Sequence, residues 1–190
     1  MARPLSDEKR RAILNAAAEV FAERGIGAPT AAISKVAGVA EGSLFTYFAT
    51  KDDLMNALYR EIKHEVAESL MLKFPREQDV RIRMLHVWDA YVHWATRHPH
   101  RSKVLRQLQV SGRLTKESET AGAAPFVEVM ETAKEAIASG ALRDVPLDFL
   151  ASMMDAQMEA TISFMAAHPK AAGRYRALGF ELLWNGLNAQ

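Results

Sequence analysis

Ser43, Thr46 and Tyr47 fall on the outward side of a short helix predicted over about Glu41 to Tyr47, while Leu44 and Phe48, four apart, fall on its buried side. The outward groups are small or hydrogen-bonding rather than charged, and Lys35 and Lys51 flank them in the sequence. Hydroxyls donate and accept, so they can read the edges of base pairs, whereas ammonium groups hold phosphates whatever the sequence. A short helix with a polar, mostly uncharged outer face suits insertion into the major groove of a duplex.

The elements that must position this helix are legible on either side of it. Before it, Ile33, Val36 and Ala37 sit at i, i+3 and i+4, one apolar stripe on a first helix. Gly38 follows, where a left-handed backbone stops that helix at little steric cost, and apolar Val39 can pin the turn. Further upstream, Ser6 caps a helix with Asp7 and Glu8 in its first turn, an apolar stripe of Ile13, Ala17, Val20 and Phe21, and Gly25 at its end.

From Thr30 to Lys51 the chain resembles the DNA-binding signature of the TetR family of bacterial regulators. The matching residues are Ile33, Ala37-Gly38-Val39, Gly42, Leu44, Tyr47-Phe48, Lys51 and Leu54, and the match reaches back to Phe21-Ala22-Glu23-Arg24-Gly25. It covers roughly the first third of the chain. The resemblance implies that Ser43, Thr46 and Glu41 meet base edges, that Thr30, Tyr47 and Lys51 hold phosphates, and that Gly42 and Phe45 belong to the same surface. It also supports phosphate contacts by Lys9, Arg10 and Arg11, whose plain reading is a solvated face. Four positions depart from the family's habit. Pro29 stands for a capping Thr, Ala40 for a capping Ser and Phe45 for a Tyr, while Glu41 takes a place where a neutral or basic residue is commoner. A carboxylate there favours the helix N-terminus but repels phosphate, unless it accepts from a cytosine amino group.

Downstream the chain reads as helix throughout. Lys51-Asp52-Asp53 opens a helix with Leu54, Leu58, Ile62, Val66 and Leu70 at every fourth position, running to about Lys73. A helix over about Val80 to Arg97 is apolar nearly all round, which makes it central in its domain. Further helices are expected over about His100 to Val110 and Pro125 to Ser139, with Arg113 to Ala124 partly loop. A long helix opens near Leu147 and ends at His168-Pro169, and a last helix carries Leu178, Leu182 and Leu183. Gly179 and Gly186 are seven apart on that helix, which allows another helix to approach closely.

Composition sets outer bounds. At 190 residues and 49% apolar, the chain can build one well-cored domain or two small ones sharing a helix. Its 24 basic and 23 acidic residues nearly cancel, so no chain-wide basic field points to nucleic acid. Without cysteine there is neither a disulfide framework nor a thiolate metal site. The start MARPLSDEKRR lacks the apolar core of a signal peptide, and no apolar run approaches the roughly 20 residues needed to span a bilayer. A cytoplasmic protein with no membrane partner is the expectation. Six histidines invite a metal reading, but no His-x-x-x-His pair exists, and no nucleophile elbow or phosphate-cradling loop is present. No metal, no cofactor and no enzymatic activity are therefore expected.

The expected architecture is all-α: a helix-turn-helix DNA-binding domain over residues 1–51, joined by a long helix to a helical ligand-sensing and dimerisation domain over residues 52–190. The resemblance implies a homodimer through the last two helices, and a cavity for a small apolar or amphipathic effector. Trp88, Tyr91, Phe126, Met130, Met154 and Met158 are the candidate lining, against the plainer reading that the methionines are packing. The function expected is a sequence-specific regulator on a double-stranded DNA operator, by family habit a repressor released by its ligand. A ligand-independent architectural DNA-binding protein and a helical metal binder or enzyme are the alternatives.

Overall fold

The computed structural model describes residues 6–188. Residues 1–5, part of the stretch read above for a signal peptide, lie outside the described residues. Among those described, the chain is helical, with Leu142 and Asn188 forming an isolated antiparallel bridge. The helices are α1 (Asp7–Arg24), α2 (Thr30–Ala37), α3 (Glu41–Tyr47), α4 (Lys51–Met71), α5 (Val80–Arg97), α6 (Pro99–Gln109), α7 (Lys116–Ala123), α8 (Val127–Ala138), α9 (Leu147–Ala167) and α10 (Ala172–Leu187).

Two compact units divide the chain. The first runs through Glu65 and includes His98–Pro125, so the helix-turn-helix shares its unit with most of α4 and with α6 and α7. In it α1 packs on α2 and α6, and α2 on α3. Ile13, Leu14, Phe21, Ile33, Leu44, Leu54, Met55 and Leu58 are fully buried, which is the apolar stripe of each short helix meeting its neighbours. The second unit holds Val66–Arg97 and continues from Phe126. There α5 packs against α8, α9 and α10, burying Trp88 completely.

Helix ends follow local chemistry. Ser6 Oγ accepts from Lys9 N at 3.4 Å. Gly25 and Gly38 end α1 and α2 at φ 79° and 67°, a region open to glycine without a Cβ clash. At the start of α4, Thr50 Oγ1 accepts from Asp53 N at 3.0 Å while Asp53 Oδ2 accepts from Thr50 N at 3.0 Å, a reciprocal cap that satisfies two orphan N–H groups.

Two expectations are made more definite. The segment Arg113 to Ala124, expected to be partly loop, contains α7. Its sequence KESETAGA has no apolar period, and tertiary bonds fix it instead. Thr115 caps it by accepting from Ser118 N at 3.2 Å. Asn56 on α4 donates to Arg113 O at 3.1 Å and accepts from Thr115 N at 2.9 Å. Arg113 pairs with Asp52 at 2.9 Å, and Gly122 lies where a Cβ would come within 2.6 Å of Tyr59 Cε1. The next helix begins at Val127 rather than Pro125, after a 3-10 turn over Ala124–Phe126.

Candidate nucleic-acid interface

The α2–α3 pair meets through the left-handed Gly38 and the Val39 N–H, which donates to Ser34 O at 3.1 Å. That turn buries Leu44 and leaves the outer side of α3 open. Ser43, Thr46 and Tyr47 line an open concavity of about 560 Å³ together with Ser6, Lys9, Gly38 and Val39. The three hydroxyl residues singled out from sequence are thus neighbours in space, with the Lys9 cation and the Glu8 carboxylate in the same lining. Thr30, Glu41, Gly42, Phe45 and Lys51 lie outside this lining.

Hydrogen bonds orient the hydroxyls of Tyr47 and Thr46. Tyr47 Oη accepts from Ser6 N at 3.0 Å, which ties the start of α1 to the end of α3 and leaves the phenolic proton free to donate outward. Thr46 Oγ1 donates to Gly42 O at 3.1 Å within the helix. Gly42 is exposed, with open space where a Cβ would stand, and Phe45 is 43% exposed. Thr30 Oγ1 donates to Glu41 Oε1 at 2.8 Å, joining the first residues of α2 and α3. Neither of those helices has a side-chain cap from the residue before it, Pro29 or Ala40.

The basic residues divide by surroundings. Lys51 is half-buried with Nζ 5.7 Å from the centre of the Phe21 ring. Burial, and then the nearby Arg113, push its ammonium below the ordinary lysine pKa, with Asp52 opposing. Arg10 stacks over Phe48 at 5.6 Å and lies 3.8 Å from Glu61, so it serves the unit's own packing. Lys9 and Arg11 are exposed. Sequence reasoning missed the reciprocal cap at Thr50 and Asp53, although Thr-x-x-Asp is its ordinary signature, and missed that Lys9 alone of the basic trio would join the hydroxyl cluster.

The six candidate ligand residues all fall in the second unit. Trp88 is fully buried, and its Nε1–H donates to Arg176 O at 3.0 Å. Met158 is also buried, while Tyr91, Phe126, Met130 and Met154 are half-buried. Met154 packs against a cluster of Ala133, Ala136, Leu142 and Leu150. On α9 and α10, Phe149, Met153, Phe164, Leu178 and Leu182 are exposed. Among the described residues no group of three or more His, Asp or Glu could hold a metal ion, and no helix is long and apolar enough to cross a membrane.

A family model described as bacterial regulatory proteins, tetR family, matches residues 13–58. A protein of Shewanella sp. PV-4 classed as a tetR family transcription regulator superposes with a TM-score of 0.86 at 26% identity, over 96% of this chain and 99% of that one. The transcriptional regulator FadR of Bacillus subtilis, solved with stearoyl-CoA, superposes with a TM-score of 0.69 at 20% identity, over 94% and 99%. Nucleoid occlusion factor SlmA of Marinobacter nauticus is 28% identical over 137 residues, 71% of this chain and 69% of that protein. The fatty acid metabolism regulator protein of Bacillus subtilis is 34% identical over 70 residues, 36% of this chain and 33% of that protein.

Proposed function

Because the chain belongs to the TetR family of bacterial regulatory proteins, which are DNA-binding transcriptional regulators and not enzymes, we propose that it acts as a homodimeric repressor on a palindromic operator. The observation that carries this reading is the grouping of Ser43, Thr46 and Tyr47 with Lys9 on one open face. Ser43 and Thr46 meet base edges there, and the free proton of Tyr47 and the ammonium of Lys51 hold phosphates. A phosphate beside Lys51 favours its charged form and offsets the burial that disfavours it.

Dimerisation rests on α9 and α10, whose exposed Phe149, Met153, Phe164, Leu178 and Leu182 need cover. A twofold dimer delivers two α3 helices to half-sites a helical turn apart. Residues 1–51 form the DNA-binding domain and residues 52–190 the sensing and dimerisation domain in this reading, with α4 the lever between them. A small apolar or amphipathic effector, held by side chains including Tyr91, Phe126 and Met130, biases α4 and alters the spacing of the reading heads. Such coupling typically changes affinity about 5- to 150-fold.

Selection of bound sequences from a random duplex pool is the direct test, and a palindrome is the expected product. With that operator in hand, Lys51→Gln weakens binding on all sequences and lowers the salt slope by about 1, while Thr46→Val shifts base preference. Identical specificity profiles for the two variants reject the division of roles. Stearoyl-CoA, the ligand of the FadR neighbour, is the first effector probe. Operator affinity unchanged at saturating acyl-CoA argues for a second reading, a ligand-independent DNA-binding protein, which the sealed environment of Trp88 favours.

A further inference from the structure

Glu41 is an exposed carboxylate on the first residue of the helix that reads DNA. An uncharged group holds it: Thr30 Oγ1 donates to Glu41 Oε1 at 2.8 Å. Thr30 is half-buried, and its carbonyl accepts from Ser34 Oγ at 3.1 Å, so its backbone is anchored in α2. A threonine hydroxyl has one proton. While that proton is donated to Glu41, Thr30 offers a phosphate only lone pairs, which cannot bind an anionic oxygen.

A carboxylate in the major groove accepts and never donates. It is repelled by phosphates, by guanine O6 and N7 and by thymine O4. It is attracted to exocyclic amino groups. The adenine amino group lies between its own N7 and the O4 of the paired thymine, two acceptors, whereas the cytosine amino group has an acceptor, the O6 of the paired guanine, on one side only, so cytosine is the better match. Resting on the DNA-binding reading above, we propose that Glu41, aimed by Thr30, selects a cytosine amino group at one position of each half-site and rejects guanine and thymine there. Thr30 is then a positioning residue and not a phosphate anchor. The same charge lowers affinity for unrelated duplex, so the pair sharpens discrimination from both sides.

The test compares the full-length chain with Glu41→Gln and Thr30→Val in selection from a random duplex pool, alongside affinity for an unrelated duplex and a thermal melt. The wild type is expected to recover cytosine at one position per half-site. Glu41→Gln keeps an acceptor for Thr30 and is expected to relax that position alone, by about five- to tenfold, while binding unrelated duplex more tightly. Thr30→Val is expected to relax the same position with the salt slope unchanged. An unaltered base profile in Glu41→Gln overturns the proposal. A uniform loss across all sequences in Thr30→Val, with a lower salt slope, overturns the positioning role and restores Thr30 as a phosphate contact. A wild type that enriches no sequence fails earlier, and it is the DNA-binding reading that falls.

Discussion

The α2 and α3 helices have 8 and 7 residues, and between them bury Ile33, Ser34 and Leu44 while presenting hydroxyls outward. The α9 and α10 helices have 21 and 16 residues, yet bury only Leu150, Met158, Thr161, Gly179, Phe180 and Leu183. The short pair leaves one large apolar side chain of each helix, Val36 and Phe45, exposed beside its hydroxyls. The long pair is apolar and incomplete, with three large apolar side chains of α9 and two of α10 left in solvent. Length and apolarity therefore do not predict how far a helix is buried by its own chain. What is left over differs in kind, and so does the partner it calls for: hydrogen-bonding groups suit a wet, charged groove, and an apolar stripe suits a second copy of itself.

The strongest way to break that contrast is to charge the apolar stripe. Phe164→Glu combined with Leu182→Glu changes two exposed side chains that are 55% and 59% accessible in the single chain, so the fold of the monomer is expected to hold. Sedimentation is expected to give the mass of one chain. Operator affinity is expected to fall by about 10²- to 10⁴-fold as the gain from bivalent binding disappears. A double variant that keeps the dimer mass removes the distinction drawn between the two helix pairs.

The next largest effect bears on a segment that sequence did not reveal. The helix-turn-helix was legible because its signals are local: an apolar stripe at i, i+3 and i+4, a glycine at a left-handed turn, and a register of motif residues. The residues of α7 carry no such signal, since KESETAGA is polar with one buried glycine and one buried serine. Its structure comes from α4, chiefly through the two bonds of Asn56, which is 5% exposed. Likewise the Thr30–Glu41 bond spans 11 residues and joins two helix starts, which no periodicity encodes. Asn56→Ala leaves the Arg113 carbonyl and the Thr115 N–H without their partner. A loss of about 2–3 kcal/mol in denaturant unfolding is expected, with the far-ultraviolet helix signal falling by roughly one short helix. A loss below about 0.5 kcal/mol would mean that α7 is held by its own cap and by Tyr59 instead.

Glycines on α10 test how completely the long pair is packed by its own chain. A Cβ on Gly179 would stand 2.3 Å from Thr161 Oγ1 and 2.7 Å from Trp88 Cζ2. Both neighbours are buried, and the Trp88 indole is held by its bond to Arg176 O, so the ring has little room to yield. Gly179→Ala is expected to cost about 1–2 kcal/mol net, overpacking outweighing the gain in helix propensity, as read by the denaturant midpoint.

Gly186, seven residues on, has open space where its Cβ would stand. Within one chain, Gly186→Ala therefore meets no obstacle and should gain close to the full propensity difference, about 0.5–1 kcal/mol. In a dimer the outcome depends on what covers that face. If the partner's helix approaches to backbone contact at Gly186, the added methyl weakens association, and the gain appears only in the Phe164→Glu, Leu182→Glu background. If Gly186 lies outside the dimer contact, the wild-type and charged backgrounds gain equally. Measuring the same substitution in both backgrounds separates an apolar stripe that ends before Gly186 from one that includes it, and so locates the edge of the surface on which the contrast between the two helix pairs depends.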